Sequence, residues 1–181
     1  MTIHTTDYPH LFREVFWEWG PIHATFELLD AAPPTVSNVN VVPFVGDQCV
    51  IVQHTDGLWE IVGGTLEPDE PYLEAVARET REEAGARLLN FTPFGAWKCH
   101  SDAPKPYRPH LPHPDFYRLV GYGEVELDGK PLNPADAEQV AKVELVTVEE
   151  AVARYRSIGR DDFADLYQLA SAVRQLHTSG G

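Results

Sequence analysis

A glycine turn followed by glutamates at helical spacing constrains this chain more than any other feature: Gly64-x5-Glu70-x7-Arg78-Glu79-Thr80-Arg81-Glu82-Glu83-Ala84-Gly85-Ala86. At about 3.6 residues per turn, Leu73, Val76, Ala77, Thr80 and Ala84 fall on one stripe, and Glu79, Glu82 and Glu83 fall together on an adjoining one. One face of such a helix can enter a core while the other meets a ligand. Three carboxylates at i, i+3 and i+4 repel one another, a cost that helices ordinarily avoid by alternating charge signs. A hard cation removes it, and an all-oxygen ligand set favours Mg2+ or Mn2+ over zinc. Because Mg2+ keeps several waters and shares its shell with phosphates, a phosphate-bearing substrate is implied. An acidic helix is more commonly just a solvated face; the fixed offsets of glycine, Arg-Glu and Glu-Glu argue against that here.

The stretch resembles the Nudix box, Gly-x5-Glu-x7-Arg-Glu-U-x-Glu-Glu-x-Gly-U with U a bulky apolar residue, and matches it at every charged and glycine position. The departures, Thr80 and Ala86 at the U positions and Val62 before the glycines, concern packing. Thr80 lies in the apolar stripe, so its hydroxyl is expected to bond back to the carbonyl of Val76. The resemblance implies an α/β fold, a Nudix-type α/β/α sandwich with a mixed β-sheet. It also implies Mg2+ or Mn2+ held by Glu79, Glu82, Glu83 and the backbone carbonyl of Gly63. The implied reaction is attack of water on phosphorus in the diphosphate linkage of a nucleoside diphosphate joined to another moiety. Relatives take the general base either from the box or from a later loop. Glu138 is the candidate of the second kind here, with Asp136 next, against the reading that both are loop surface. Glu70 and Arg78 are read as organisers, Arg78 pairing with Glu74 or Glu82. The alternative from another class is a catalytically silent nucleotide-binding sensor domain, against which stand the intact box and the lack of a basic helix-turn-helix. The isomerase variant of the fold would need a placed cysteine, and neither Cys49 nor Cys99 is recognisably set for it.

Composition narrows the partners. A chain of 181 residues with 43% hydrophobic content suits one domain, read as an aromatic-rich extension over 1–35 and a Nudix domain over 36–181. A formal charge of -14 without a basic stripe excludes a nucleic-acid polymer as partner and leaves small, metal-chelated anions. Cys49 and Cys99 sit in apolar runs, as buried thiols do, and do not make a disulfide framework. No basic-then-apolar leader and no membrane-length apolar run is visible, so a cytoplasmic location without membrane contact is expected.

Strands are expected at 39–45 and 49–54 around the turn Gly46-Asp47-Gln48, then at 58–62, 86–99, 115–127 and 140–146. Pro71 suits the first turn of the box helix and Gly85 its left-handed end. Helices are expected at 148–155 and 161–177, the latter with Phe163, Leu166, Leu169, Ala170 and Val173 as its apolar stripe. Near the start, Phe12, Val15, Phe16 and Trp19 have helical spacing while 23–29 reads as a strand; these aromatics are core cover or the surface of a homodimer. The insert 101–114 is too proline-rich for a paired strand. It carries Lys105, Tyr107, Arg108, His110 and His113 as candidate substrate contacts on a surface loop or lid. His110-x2-His113 lacks the further ligands that zinc would need.

Overall fold

The computed structural model describes residues 3–135 and 138–179. In chain order the elements are β1 (Val15–Trp17), β2 (Ile22–Leu28), β3 (Val36–Val45), β4 (Gln48–His54), β5 (Trp59–Glu60), β6 (Val62–Thr65), α1 (Tyr72–Ala84), β7 (Ala86–Leu88), β8 (Thr92–Ser101), β9 (Asp115–Leu127), β10 (Val140–Val146), α2 (Val148–Ser157) and α3 (Asp161–Ser179). The sheet runs β1-β2-β8-β9-β3-β4-β10, with β5 on β4, β6 on β3 and β7 on β9. β3 and β9 are parallel and the other pairings antiparallel, so the sheet is mixed.

β3 is buried on both faces over most of its length, which is why 41–45 reads as a continuous apolar run rather than an alternation. Val39 and Val41 join Val50, Val52, Val62 and Leu119 beneath Ala75, Val76 and Ala84 of α1. Val42 and Phe44 join Ile51 and Val120 on the opposite face beneath Tyr155, Leu166, Tyr167 and Leu169 of α2 and α3. The result is the expected α/β/α sandwich, each fully buried aliphatic side chain contributing roughly 1.5–3 kcal/mol of transfer free energy. Thr147 caps α2 by accepting from the Glu150 N–H while the Glu150 side chain accepts from Thr147 N–H, a reciprocal pair that fixes where β10 ends. Among the described residues no helix is long and apolar enough to cross a membrane.

Several expectations shift in detail. Residues 12–19 do not form a helix: Val15–Trp17 is a strand that folds back on Ile22–Leu28 through Gly20, whose N–H donates to the Trp17 carbonyl. Helical spacing of three or four aromatics does not by itself rule against a short strand when Gly20-Pro21 forces a turn just beyond. The single strand expected at 58–62 is two, β5 and β6, pairing with β4 and β3 respectively. The strand expected at 86–99 is likewise divided into β7 and β8. The insert is the long tip of the β8–β9 hairpin, closed where the Ser101 N–H meets the Pro114 carbonyl. Cys49 and Cys99 are buried free thiols, and burial pushes both pKa values up to about 12, which leaves them inert.

Candidate active site

The box helix begins after Pro71 and ends at Gly85, which is left-handed at φ 60. Its buried stripe is not the one that spacing alone gives. Leu73 and Ala77 are exposed, whereas Ala75, Val76, Glu79, Thr80, Glu83 and Ala84 are buried. The core-facing and ligand-facing stripes therefore overlap, and Glu79 and Glu83 stand at their shared edge, only 8% and 6% exposed. Thr80 resolves its own buried hydroxyl as expected, donating to the Val76 carbonyl at 2.7 Å.

The glycine turn is shaped around these carboxylates. The Gly63 N–H donates to Glu83 Oε2 at 2.9 Å. A Cβ on Gly64 would lie 2.1 Å from Glu79 Oε1, so only glycine lets this carboxylate reach the strand. A Cβ on Gly63 would lie 2.1 Å from the Val39 carbonyl oxygen, at a φ of 155. The two positions should respond differently to alanine. Gly63→Ala collides with backbone and is expected to cost about 2–4 kcal/mol of stability. Gly64→Ala collides with a side-chain end, so it should leave unfolding nearly unchanged and weaken divalent-metal binding. Denaturant unfolding and metal titration of both variants check the contrast; equal loss of stability would contradict it.

Arg78 organises the array, although Glu70 rather than Glu74 is its main partner. Its Nε and one terminal nitrogen clamp both Glu70 oxygens at 2.8 and 3.0 Å, the other terminal nitrogen reaches Glu79 at 2.7 Å and Glu82 at 3.3 Å, and a further bond goes to the Thr65 carbonyl at 3.2 Å. These bonds hold Glu70 below the usual carboxylate range. Glu79 is pushed up by burial, against the pull of Arg78. Burial pushes Glu83 up to about 8, opposed by the Gly63 N–H and reinforced by the charges of Glu79, Glu138 and Glu60. A buried acid surrounded by acids is stabilised by a proton or by a cation.

One neighbour comes from outside the box segment. His54, at the end of β4, places Nε2 3.9 Å from Glu83 Oε1 and Nδ1 3.5 Å from Glu138 Oε2. Among the described residues its buried Nε2 has no hydrogen-bond partner, and ligand atoms of His54, Glu83 and Glu138 lie within 4.8 Å of one another. Nothing local in the sequence marks His54; the pairing of His54 with Val140 across β4 and β10, with the Thr55 N–H donating to the Gln139 carbonyl, carries Glu138 to it. Asp136 lies outside the described residues. In the insert, His110 Nε2 lies 2.8 Å from the Leu66 carbonyl, which ties this loop to the segment after the glycine turn. Exposed Tyr107 meets Trp19 edge to face and Arg108 stacks over Tyr107, while Lys105 is exposed and His113 half-buried.

The NUDIX domain sequence pattern matches residues 34–167, most of the chain. The chain belongs to the Nudix family. The Nudix protein shares 38% identity over 53 residues with "Putative 8-oxo-dGTP diphosphatase YtkD" of Bacillus subtilis, a match that covers 29% of this chain and 34% of that relative. Its fold is similar to the crystal structure of a point mutant of the Bacillus subtilis pyrophosphohydrolase BsRppH, with a TM-score of 0.52 and 22% identity over 74% of this chain and 76% of that one. A Nudix hydrolase from Nitrosomonas europaea superposes with a TM-score of 0.46 at 21% identity, covering 67% of this chain and 77% of the other. β1 and β2 both precede the matched segment, yet they hydrogen-bond into the same sheet.

Proposed function

We propose that this Nudix protein hydrolyses a diphosphate linkage in a nucleoside diphosphate joined to another group, with Mg2+ or Mn2+ as cofactor. The observation that carries the reading is the buried pair Glu79 and Glu83, fitted against the Gly63-Gly64 turn and flanked by Arg78. The residues fit a divalent ion on a second ground: the buried Nε2 of His54, without a hydrogen-bond partner among the described residues, lies 3.9 Å from Glu83 Oε1. In this reading Glu79, Glu82, Glu83 and the Gly63 carbonyl hold the ion, with His54 and Glu138 on the side of β4. When bound, such an ion lowers the pKa of water and neutralises charge on nonbridging phosphate oxygens.

The chain's own groups supply orientation and proton transfer. Arg78 and Glu70 hold the glutamates against their mutual repulsion. Glu138, 77% exposed beside His54, accepts the proton of the attacking water. Lys105, Tyr107, Arg108, His110 and His113 border the substrate from the hairpin tip. The test is a turnover screen with Mg2+ and Mn2+ over ADP-ribose, NADH, dinucleoside polyphosphates, nucleotide sugars and oxidised purine triphosphates, the last suggested by the name of the Bacillus relative. The expected result is metal-dependent cleavage, with label from 18O-water in one phosphate product. Binding of nucleotides without cleavage of any of them would favour the sensor instead. Glu138→Gln is expected to lower kcat about 10²-fold or more with little change in KM; unaltered kcat would return the base to the box.

A further inference from the structure

Arg118 on β9 is a guanidinium without an acid. Among the described residues it makes no hydrogen bond or ion pair; its contacts are the faces of Trp17, 5.2 Å from the ring centroid, and Trp19, at 6.0 Å. The other arginines near the acidic cluster are occupied, Arg78 by Glu70, Glu79 and Glu82, and Arg160 by Glu60 and Asp162. Arg118 is half-buried, and its surroundings desolvate it enough to hold its pKa below the ordinary guanidinium value. A partly desolvated guanidinium with no ion-pair partner among the described residues is suited to an oxyanion. Cation–π packing occupies the flat faces of a guanidinium and leaves its N–H edge free for a fork onto an oxyanion.

The register puts Arg118 two strands away from the end of the glycine turn. Arg118 stands opposite Asn38 of β3, which stands opposite Thr65 of β6. The offset is two strand spacings, about 10 Å, within the length of a nucleoside diphosphate. The negative charges of Glu60 and Glu138 reach Arg118 without touching it. Trp19 is 62% exposed, lies nearly parallel to Trp17 at 17°, and meets Tyr107 near-perpendicularly at 81°. Trp17 and Trp19 precede the stretch matched by the Nudix pattern, whereas Arg118 lies inside it.

We propose that Arg118, with Trp17 and Trp19 from the N-terminal segment, forms a nucleotide-recognition subsite: Arg118 takes a phosphate of the substrate edge-on and the exposed face of Trp19 stacks the attached base. It rests on the hydrolase reading for its place in the reaction, but binding alone can test it. An oxyanion rather than a base edge is chosen because a guanidinium fork pairs most strongly with a full negative charge.

The experiment measures affinity by tryptophan fluorescence for three probes: adenosine and guanosine triphosphates with a methylene bridge between the α and β phosphorus, methylenebisphosphonate, and the free nucleosides. Arg118→Gln should weaken binding of the triphosphate analogues and the bisphosphonate about 10- to 100-fold, the loss of a charged hydrogen-bonded pair, and leave the nucleosides unchanged. Arg118→Lys should fall between. Trp19→Ala should weaken the nucleotides and nucleosides but not the bisphosphonate, read by calorimetry. Melting of Arg118→Gln separates binding from architecture: a subsite cation can be neutralised with Tm unchanged or raised, whereas a structural one lowers it. In turnover, Arg118→Gln should raise KM more than it lowers kcat. Unchanged affinity for the phosphate probes, or equal weakening of the nucleosides, overturns the assignment. Tight, Arg118-dependent binding without hydrolysis of any substrate would sustain the subsite and defeat the hydrolase reading.

Discussion

Glu83→Gln is expected to lower turnover roughly 10²- to 10³-fold, the scale on which a single preorganised electrostatic group acts. The substitution keeps shape and helix propensity, and the amide oxygen can still accept from the Gly63 N–H that now reaches Oε2 at 2.9 Å. It removes only the charge. At 6% exposure no water compensates that charge, so the effect should exceed that of Glu82→Gln, whose side chain is 19% exposed. Steady-state kinetics at saturating Mn2+ decide it. Turnover near that of the unaltered protein would remove Glu83 from the ion's ligands, and an effect larger at Glu82 would reverse the ranking.

The second large effect concerns stability without metal. Glu83 is held at about 8 in the fold, above its ordinary 4.5, chiefly by burial. Between those values the folded chain carries a proton that the unfolded chain has released, so the free energy of unfolding falls as pH rises across that window. The stabilising contribution is complete below the unfolded value and lost above the folded one. Glu79 and Glu60 are raised in the same direction by the same cause, and Glu70 is shifted oppositely by Arg78, so its contribution disappears in acid instead. Chelator-treated protein should therefore lose on the order of a few kcal/mol between about pH 5 and pH 8. Glu83→Gln should flatten that slope, and Mn2+ should reverse it, because a cation replaces the proton and binds more tightly as the proton leaves. Denaturant unfolding at several pH values checks this; metal-free stability that rises over the same interval would contradict the burial of Glu83.

Much of the scaffold is legible in the sequence because its signals are local. The hairpin turn Gly46-Asp47-Gln48 joins β3 and β4, the strand at 140–146 has the bounds expected, and α2 and α3 lie where their periodicity puts them. Thr80 can be assigned its bond to Val76 because both ends of that bond lie one helical turn apart. Expectation and structure part where one pattern serves two structures. The aromatics at 12–19 fit a helix by spacing but form a strand and turn, because Val15–Trp17 finds a partner in β2 that spacing cannot report. The apolar stripe of α1 is narrower than its spacing suggests and leaves out Leu73 and Ala77, since a wheel treats every apolar residue as inward while the packed sheet covers only the side bearing Ala75 and Val76.

The sequence by itself determined the make-up of the box segment: glycines before a helix, glutamates one turn apart and an arginine beside them lie close in the chain, and their spacing survives any tertiary arrangement. Tertiary structure decided what surrounds that segment. β4 and β10 bring His54 to Glu138, and β1, β2 and β8 carry Trp17 and Trp19 over Arg118, positions roughly 80 to 100 residues apart in the chain. The physical reason is that strand pairing joins residues by register rather than by sequence distance, so the helix carboxylates could be read directly while their neighbours appeared only once the sheet had formed.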